Sequence, residues 1–268
     1  MFTAALRVPV QHQHPVIRKV ELRPGLTVTE LAEEVAVPVN KSDSGYHYFG
    51  NDWWGRDNCP RAFQYLSLDA MYPAPYFDTD GTGHPDRTRG LDLADYMFGV
   101  YRSLVGSEPQ SVLELGSGGG EITRAIDARG VDYITVEGTT AGAQKLLQIG
   151  IPEDRIVVAN LKFMKPLGRR FDLAMCTEVA EHLEPFFASK LVSDCIEHSD
   201  LFWFSAADRK RPAHYHHINE QPIEVWDNLF AHMGYPYFIT LDGRHGRASR
   251  LYINKSYAEN LGIGIALA

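Results

Sequence analysis

The chain has 268 residues, is 44% hydrophobic and 22% charged, and carries 26 Lys+Arg against 34 Asp+Glu for a net charge of −8. That balance fits one large domain, or a domain with a smaller appended piece, built round a real core, and it excludes disorder and low complexity. The acidic balance argues against a nucleic-acid backbone as partner of the whole surface. No apolar run approaches the roughly twenty residues of a membrane span.

In chain order, "MFTAALRVPVQHQHPV" has neither a basic lead nor a sustained apolar stretch and reads as no signal peptide. "TVTELAEEVAV" sets Glu30 three residues after Thr27, a capping-box pattern. "SGYHYFGNDWWGRDNCP" and "YPAPYFDTDGTGHPDRTRG" are rich in Gly, Pro, Asp and aromatics without periodicity, and read as long structured loops of the functional kind. Helical spacing returns with Leu91, Ala94, Phe98 and Tyr101. A boundary near residue 90 divides an N-terminal lid and substrate-binding region, 1–90, from a domain over 91–268. Cys59, Cys176 and Cys195 form no CxxC and leave one odd, which points to free thiols in a reducing cytoplasm.

From Ser111 the pattern is regular. "SVLEL", "DYITVE", "RIVVAN", "FDLAMCT" and "LFWFSAA" read as strands buried on both faces. Helix-period segments lie between them: "GEITRAIDARG" closing on Gly130, "TTAGAQKLLQIGI", and "EPFFASKLVSDCIEHS" with Phe187, Leu191, Val192, Cys195 and Ile196 on one stripe. "QPIEVWDNLFAHMGY" follows as a helix, then "YPYFITL" and "SRLYINKS" as a closing strand pair antiparallel to the rest. The expectation is an α/β fold with a doubly wound, mostly parallel seven-stranded sheet.

"LELGSGGGEI" follows the first of these strands, so its ligand would bind at the sheet's carboxyl edge. A dinucleotide loop, GxGxxG, needs its third glycine where Glu121 stands, and a carboxylate there would repel a pyrophosphate at the helix N-terminus. S-adenosylmethionine (SAM) carries no phosphate but a sulfonium and an ammonium, both positive, and Glu114 can face that cationic end directly or through water. Glu137 ends the second strand about twenty residues on, where a carboxylate can accept both hydroxyls of a ribose.

"VLELGSGGGEIT", "VEGT" and "FDLAMCTEVAEHLEP" together resemble the motifs of class I SAM-dependent methyltransferases with a Rossmann-like fold, over roughly residues 90 to 255. The resemblance implies cofactor contacts at Glu114, Gly116, Ser117, Gly118, Glu137 and Gly138. It implies an adenine contact at Asn160 and Leu161, where the family often has an acid, and a place near the methionine part or the methyl for Thr177 and Glu178. Small-molecule methyltransferases are the type it suggests.

For a hydroxyl acceptor a histidine with its near-neutral pKa suits the base. His182, His216 and His217 are the candidates, one base among them being favoured over a metal. A divalent cation remains an alternative, with His214 and His216 as an extended i, i+2 pair that can chelate and Asp208, with Glu178 and Glu181, as sources of oxygen ligands. Tyr46, Trp54 and Tyr76 are candidate walls for an acceptor, and Arg89 a partner for a carboxylate. The reading is a cytoplasmic SAM-dependent methyltransferase, O-methylation favoured, working on a sugar or secondary-metabolite hydroxyl by in-line displacement. No nucleic acid or membrane partner is expected, and a homo-oligomer is compatible. The alternatives are an N-methyltransferase of an amine or peptide and a catalytically silent SAM-binding partner subunit.

Overall fold

The computed structural model describes residues 2–9, 15–22, 46–50, 53–56, 68–72, 74–78, 89–207, 217–241 and 249–262. Two antiparallel hairpins come first, β1 (Phe2–Pro9) with β2 (Pro15–Leu22), and β3 (Tyr46–Gly50) with β4 (Trp53–Arg56). The first aromatic stretch, expected as loop, therefore contains a short hairpin; the second is preceded by the helical turn α1 (Leu68–Met71) and contains another, α2 (Ala74–Asp78). The proposed Thr27 cap lies outside the described residues.

The helix expected beyond residue 90 is α3 (Arg89–Val105), and it buries Ala94, Met97, Phe98 and Tyr101. The sheet then builds through β5 (Ser111–Leu115), α4 (Glu121–Asp127), β6 (Asp132–Glu137), α5 (Thr140–Gln148) and β7 (Ile156–Val158). It continues with β8 (Leu173–Thr177), α6 (Ala188–His198), β9 (Leu201–Ser205) and α7 (Ile223–His232), and closes with β10 (Tyr237–Leu241), β11 (Ser249–Ile253) and α8 (Lys255–Asn260).

The strand order is β10-β11-β9-β8-β5-β6-β7, seven strands as the sequence predicts. β5 to β9 pair in parallel, whereas β11 runs antiparallel to both β9 and β10. The reversal thus belongs to β11 alone, and β10 runs with the parallel set. β7 and β10 are edges: Val158 and Phe238 are exposed, so these two strands are not buried on both faces.

The two-residue period of the strands sorts the core into two layers. Leu113, Leu115, Ala174, Cys176, Phe202 and Phe204 meet α6 and α7 through Leu191, Cys195, Trp226 and Phe230. Val112, Leu173, Met175, Leu201 and Trp203 meet α3 and α4 through Met97, Phe98, Tyr101 and Ile126. The chain winds outward from β5 to β7 and then returns to the other side of β5 as β8. That reversal opens a crevice at the carboxyl ends of β5 and β8, where a doubly wound sheet binds its ligand.

Candidate active site

The loop after β5 is held by three left-handed glycines, Gly116 (φ 83°), Gly118 (φ 53°) and Gly120 (φ 80°). A Cβ on Gly116 would stand 2.4 Å from Val179 Cγ2, and one on Gly120 would stand 2.6 Å from both Ile149 Cδ1 and Leu146 Cδ2. A Cβ on Gly118 would meet nothing within 4 Å. The outer two glycines therefore serve packing, while Gly118 faces open space where backbone can approach a ligand. Close helix packing falls to Gly120, one residue before Glu121, which opens α4.

Glu114 shares a face of β5 with Val112 and turns toward α4. It is 3% exposed and accepts from the hydroxyls of Thr123 and Thr135. Burial pushes its pKa up to about 7, against the lowering effect of those two donors. Its bonds are thus to protein hydroxyls in the sheet–helix seam.

Glu137 is the hinge of the loop. Its Oε1 accepts from the Thr139 amide at 3.0 Å and Thr139 Oγ1 at 2.8 Å, and its Oε2 from the Gly118 amide at 3.1 Å and Ser117 Oγ at 3.5 Å. Burial raises its pKa, and the Thr139 and Gly118 donors oppose that rise. Gly142 leaves the room: a Cβ there would sit 2.7 Å from the Glu137 carboxyl carbon. Gly138 does the same for α1, since its Cβ would stand 2.9 Å from Leu68 Cδ1. Asn160 spends its Oδ1 on the Lys162 amide at 3.0 Å, closing its own turn, and Leu161 beside it is buried.

Past β8, Thr177 is half-buried and Glu178 takes φ 58°, the one positive value among the described non-glycine residues. Ser205 at the end of β9 fixes that residue, its carbonyl accepting from the Glu178 amide at 2.9 Å and its Oγ donating to Glu178 Oε1 at 2.7 Å. The next turn carries Glu181 and His182. The Glu181 carbonyl accepts from the amides of Ile218 and Asn219 at 2.8 and 2.9 Å, and Asn219 Nδ2 donates to the Ala180 carbonyl at 3.3 Å. These bonds bring "EVAEH" and "HINEQ" together across 35 residues of chain.

The result is a line of polar groups. Tyr72 OH lies 3.1 Å from His182 Nδ1, the His182 and His217 rings meet edge-on at 4.8 Å, and His217 Nδ1 lies 2.8 Å from Glu220 Oε1. Burial raises the Glu220 pKa to about 8 and that of Glu181 to about 7. One ligand atom from each of Glu181, His182 and His217 lies within 4.8 Å of the others. α1 and the residue that follows it span both parts of the crevice, because Asp69 accepts from the Thr140 amide at 2.7 Å beside the loop while Tyr72 reaches His182.

The structure thus brings His182 and His217 together. His216, and the alternative metal set of Asp208 and His214, lie outside the described residues. Tyr46 is in β3, Trp54 in β4 and Arg89 at the start of α3, but their side chains lie outside the described set. Tyr76 is half-buried and packs edge-on against Tyr72 at 5.0 Å and Phe77 at 5.3 Å. Sequence reasoning did not single out Asp69, Tyr72 or Glu220. The i, i+3 spacing of Glu220 to His217 was the available signal for the last; Asp69 and Tyr72 carry none.

An acid–glycine loop at the switch point of this sheet, with a second carboxylate ending the next strand, defines a Rossmann-like α/β protein. Residues 92–198 match the family model described as "Methyltransferase domain". No curated protein matches the sequence. Among solved structures, the plantazolicin methyltransferase BpumL, in complex with a pentazolic desmethylPZN analog and SAH, superposes with a TM-score of 0.54 at 11% identity, over 74% of this chain and 96% of BpumL. BamL, in complex with a triazolic analog and SAH, gives 0.52 at 12% identity, over 74% and 96%. WbdD, in co-crystals with the kinase inhibitor LY294002, gives 0.50 at 16% identity over 66% of this chain, which spans only 43% of WbdD. At these identities the likeness is one of fold.

Proposed function

We propose that the chain is a SAM-dependent methyltransferase acting on a hydroxyl of a small molecule. The observation that carries this reading is the sharing of one sheet edge by the Gly116–Glu137 loop and the His182–His217 pair, with α1 and the residue that follows it touching both. The SAH held by BpumL and BamL supports the same cofactor here.

When bound, the cofactor supplies a methyl group on a positively charged sulfur. Gly118, with no neighbour at its Cβ position, allows backbone contact, and Gly116, Ser117 and Gly138 complete the cradle. Glu137 would take ribose hydroxyls by giving up its longest bond, the 3.5 Å one from Ser117. Asn160 and Leu161 would border the adenine, and Thr177 and Glu178 the methionine part. Glu114, once ionised, would favour a cation above the loop through its field, even though its bonds are to Thr123 and Thr135.

In the metal-free protein the acceptor's proton passes to the His182–His217 pair, with His217 oriented by Glu220 and His182 by Tyr72. Residues 1–90 form the lid and substrate region over the domain of 91–268, with Tyr46, Trp54, Tyr76 and Arg89 as acceptor contacts. The buried free thiols of Cys176 and Cys195 fit a reducing, cytoplasmic setting. No helix among the described residues is long and apolar enough to cross a membrane.

A second reading, an amine acceptor, is favoured by the two carboxylates Glu181 and Glu220 beside the histidines. Methyl transfer from labelled SAM to matched hydroxyl and amine panels separates the two. Products on hydroxyls alone support O-methylation. Binding of SAH without any methylated acceptor would favour a silent SAM-binding partner instead.

A further inference from the structure

We propose that Glu181, His182 and His217 bind a first-row divalent cation, leaving one coordination position open toward the acceptor. The binding stands on the geometry alone; its part in methyl transfer rests on the function proposed above.

The starting point is Glu181. It is 0% exposed, no side chain among the described residues donates to its carboxylate, and the donors near it are only the backbone amides of Glu181 itself and Ala207. Its backbone carbonyl is engaged by the amides of Ile218 and Asn219, so the residue is fixed in place by the segment that brings His217 to it. A buried carboxylate with two backbone donors at most and no cationic partner among the described residues is costly, and an ion beside it is one remedy that the neighbours can support. Those neighbours are two imidazoles, with one ligand atom from each of the three residues within 4.8 Å of the others. A tetrahedral ion with bonds of ~2.1 Å needs ligand atoms ~3.4 Å apart, so a closure of at most about 1.4 Å by side-chain rotation completes the site.

The donors choose the ion. Two imidazoles and one carboxylate suit Zn²⁺, Co²⁺ or Mn²⁺, whereas Mg²⁺ and Ca²⁺ want oxygen throughout. The outer contacts fit as well. A His217 tautomer that donates Nδ1–H to Glu220, 2.8 Å away, carries its lone pair on Nε2, the arrangement metal-bound histidines use. Tyr72 OH holds His182 in the same manner through Nδ1. Three protein ligands leave a position for an oxygen of the acceptor, and an alcohol bound there is acidified by the ion. With the ion in place the imidazoles are ligands, and no separate base is needed.

The test is a Co²⁺ titration of tag-free, EDTA-dialysed full-length protein, followed by visible absorption, beside SAH calorimetry on the same samples. Wild type should bind one equivalent with the intense bands of four-coordinate Co²⁺. Glu181→Gln and His217→Ala should weaken binding at least tenfold, with SAH binding and circular dichroism kept. His232→Ala, on the exposed end of α7, should bind as wild type. No Co²⁺ bands in wild type, or unchanged affinity in Glu181→Gln, would overturn the site. SAH binding without Co²⁺ binding sinks the cation and leaves the methyltransferase reading intact; Co²⁺ binding without SAH binding does the reverse.

Discussion

Gly118→Ala separates folding from cofactor binding more cleanly than any other change in the loop. Gly118 has φ 53° and no atom within 4 Å of its Cβ position, so alanine would suffer only the left-handed backbone. That costs about 1–2 kcal/mol, which for a domain of about 150–250 residues lowers the melting temperature by roughly 2–8 °C. The new methyl would project into the space assigned to the cofactor and should weaken SAH at least about tenfold, or about 1.4 kcal/mol. Gly116→Ala is the contrast, because its Cβ would stand 2.4 Å from Val179 Cγ2. Overlap added to strain gives about 2–5 kcal/mol and a damaged fold. Calorimetry with SAH and thermal melts on both variants decide the matter. If Gly118→Ala binds SAH as wild type does, the open space above the loop does not belong to the cofactor and the site assignment fails.

Glu137→Ala should weaken SAH binding by on the order of 1–3 kcal/mol; unchanged affinity would remove Glu137 from the site. Glu114 has a folded pKa of about 7 against 4.5 for the ordinary side chain. Between those values the folded state keeps a proton that the unfolded chain has released, so stability falls as pH rises through that window, by up to roughly 3 kcal/mol. Glu114→Gln should remove Glu114's share of that slope, to which Glu137, Glu181 and Glu220 also contribute, in urea titrations at pH 5, 6 and 7, and an unaltered slope would refute the burial argument. His182→Ala and His217→Ala should each lower turnover about a hundredfold with SAH affinity kept. Tyr72→Phe, losing only the hydroxyl beside His182, should lower kcat by roughly fivefold, about 1 kcal/mol, and shift the pH–rate profile; a change in KM alone would make Tyr72 a mere wall.

Much of this protein is local in origin and so is written in the sequence. Strand runs such as "SVLEL" and "LFWFS" are apolar because both faces are covered, and the glycines of the loop need positive φ wherever the chain goes next. Period two places Glu114 opposite Leu113 and Leu115, and period 3.6 places Leu191 and Cys195 on the buried stripe of α6. Those regularities determined the α/β class, the number of strands and the position of the cofactor loop.

Tertiary structure decided what depends on residues distant in sequence. That β11, and not the closing pair, runs antiparallel follows from its insertion between β9 and β10. That Glu114 bonds to Thr123 and Thr135 follows from α4 crossing that face of the sheet. Above all, the approach of His217 to Glu181 and His182, and of Tyr72 to His182, is set by backbone bonds between segments with no shared periodicity. A motif can reveal a loop whose geometry is its own; it cannot reveal a cluster whose members meet only after the sheet has closed.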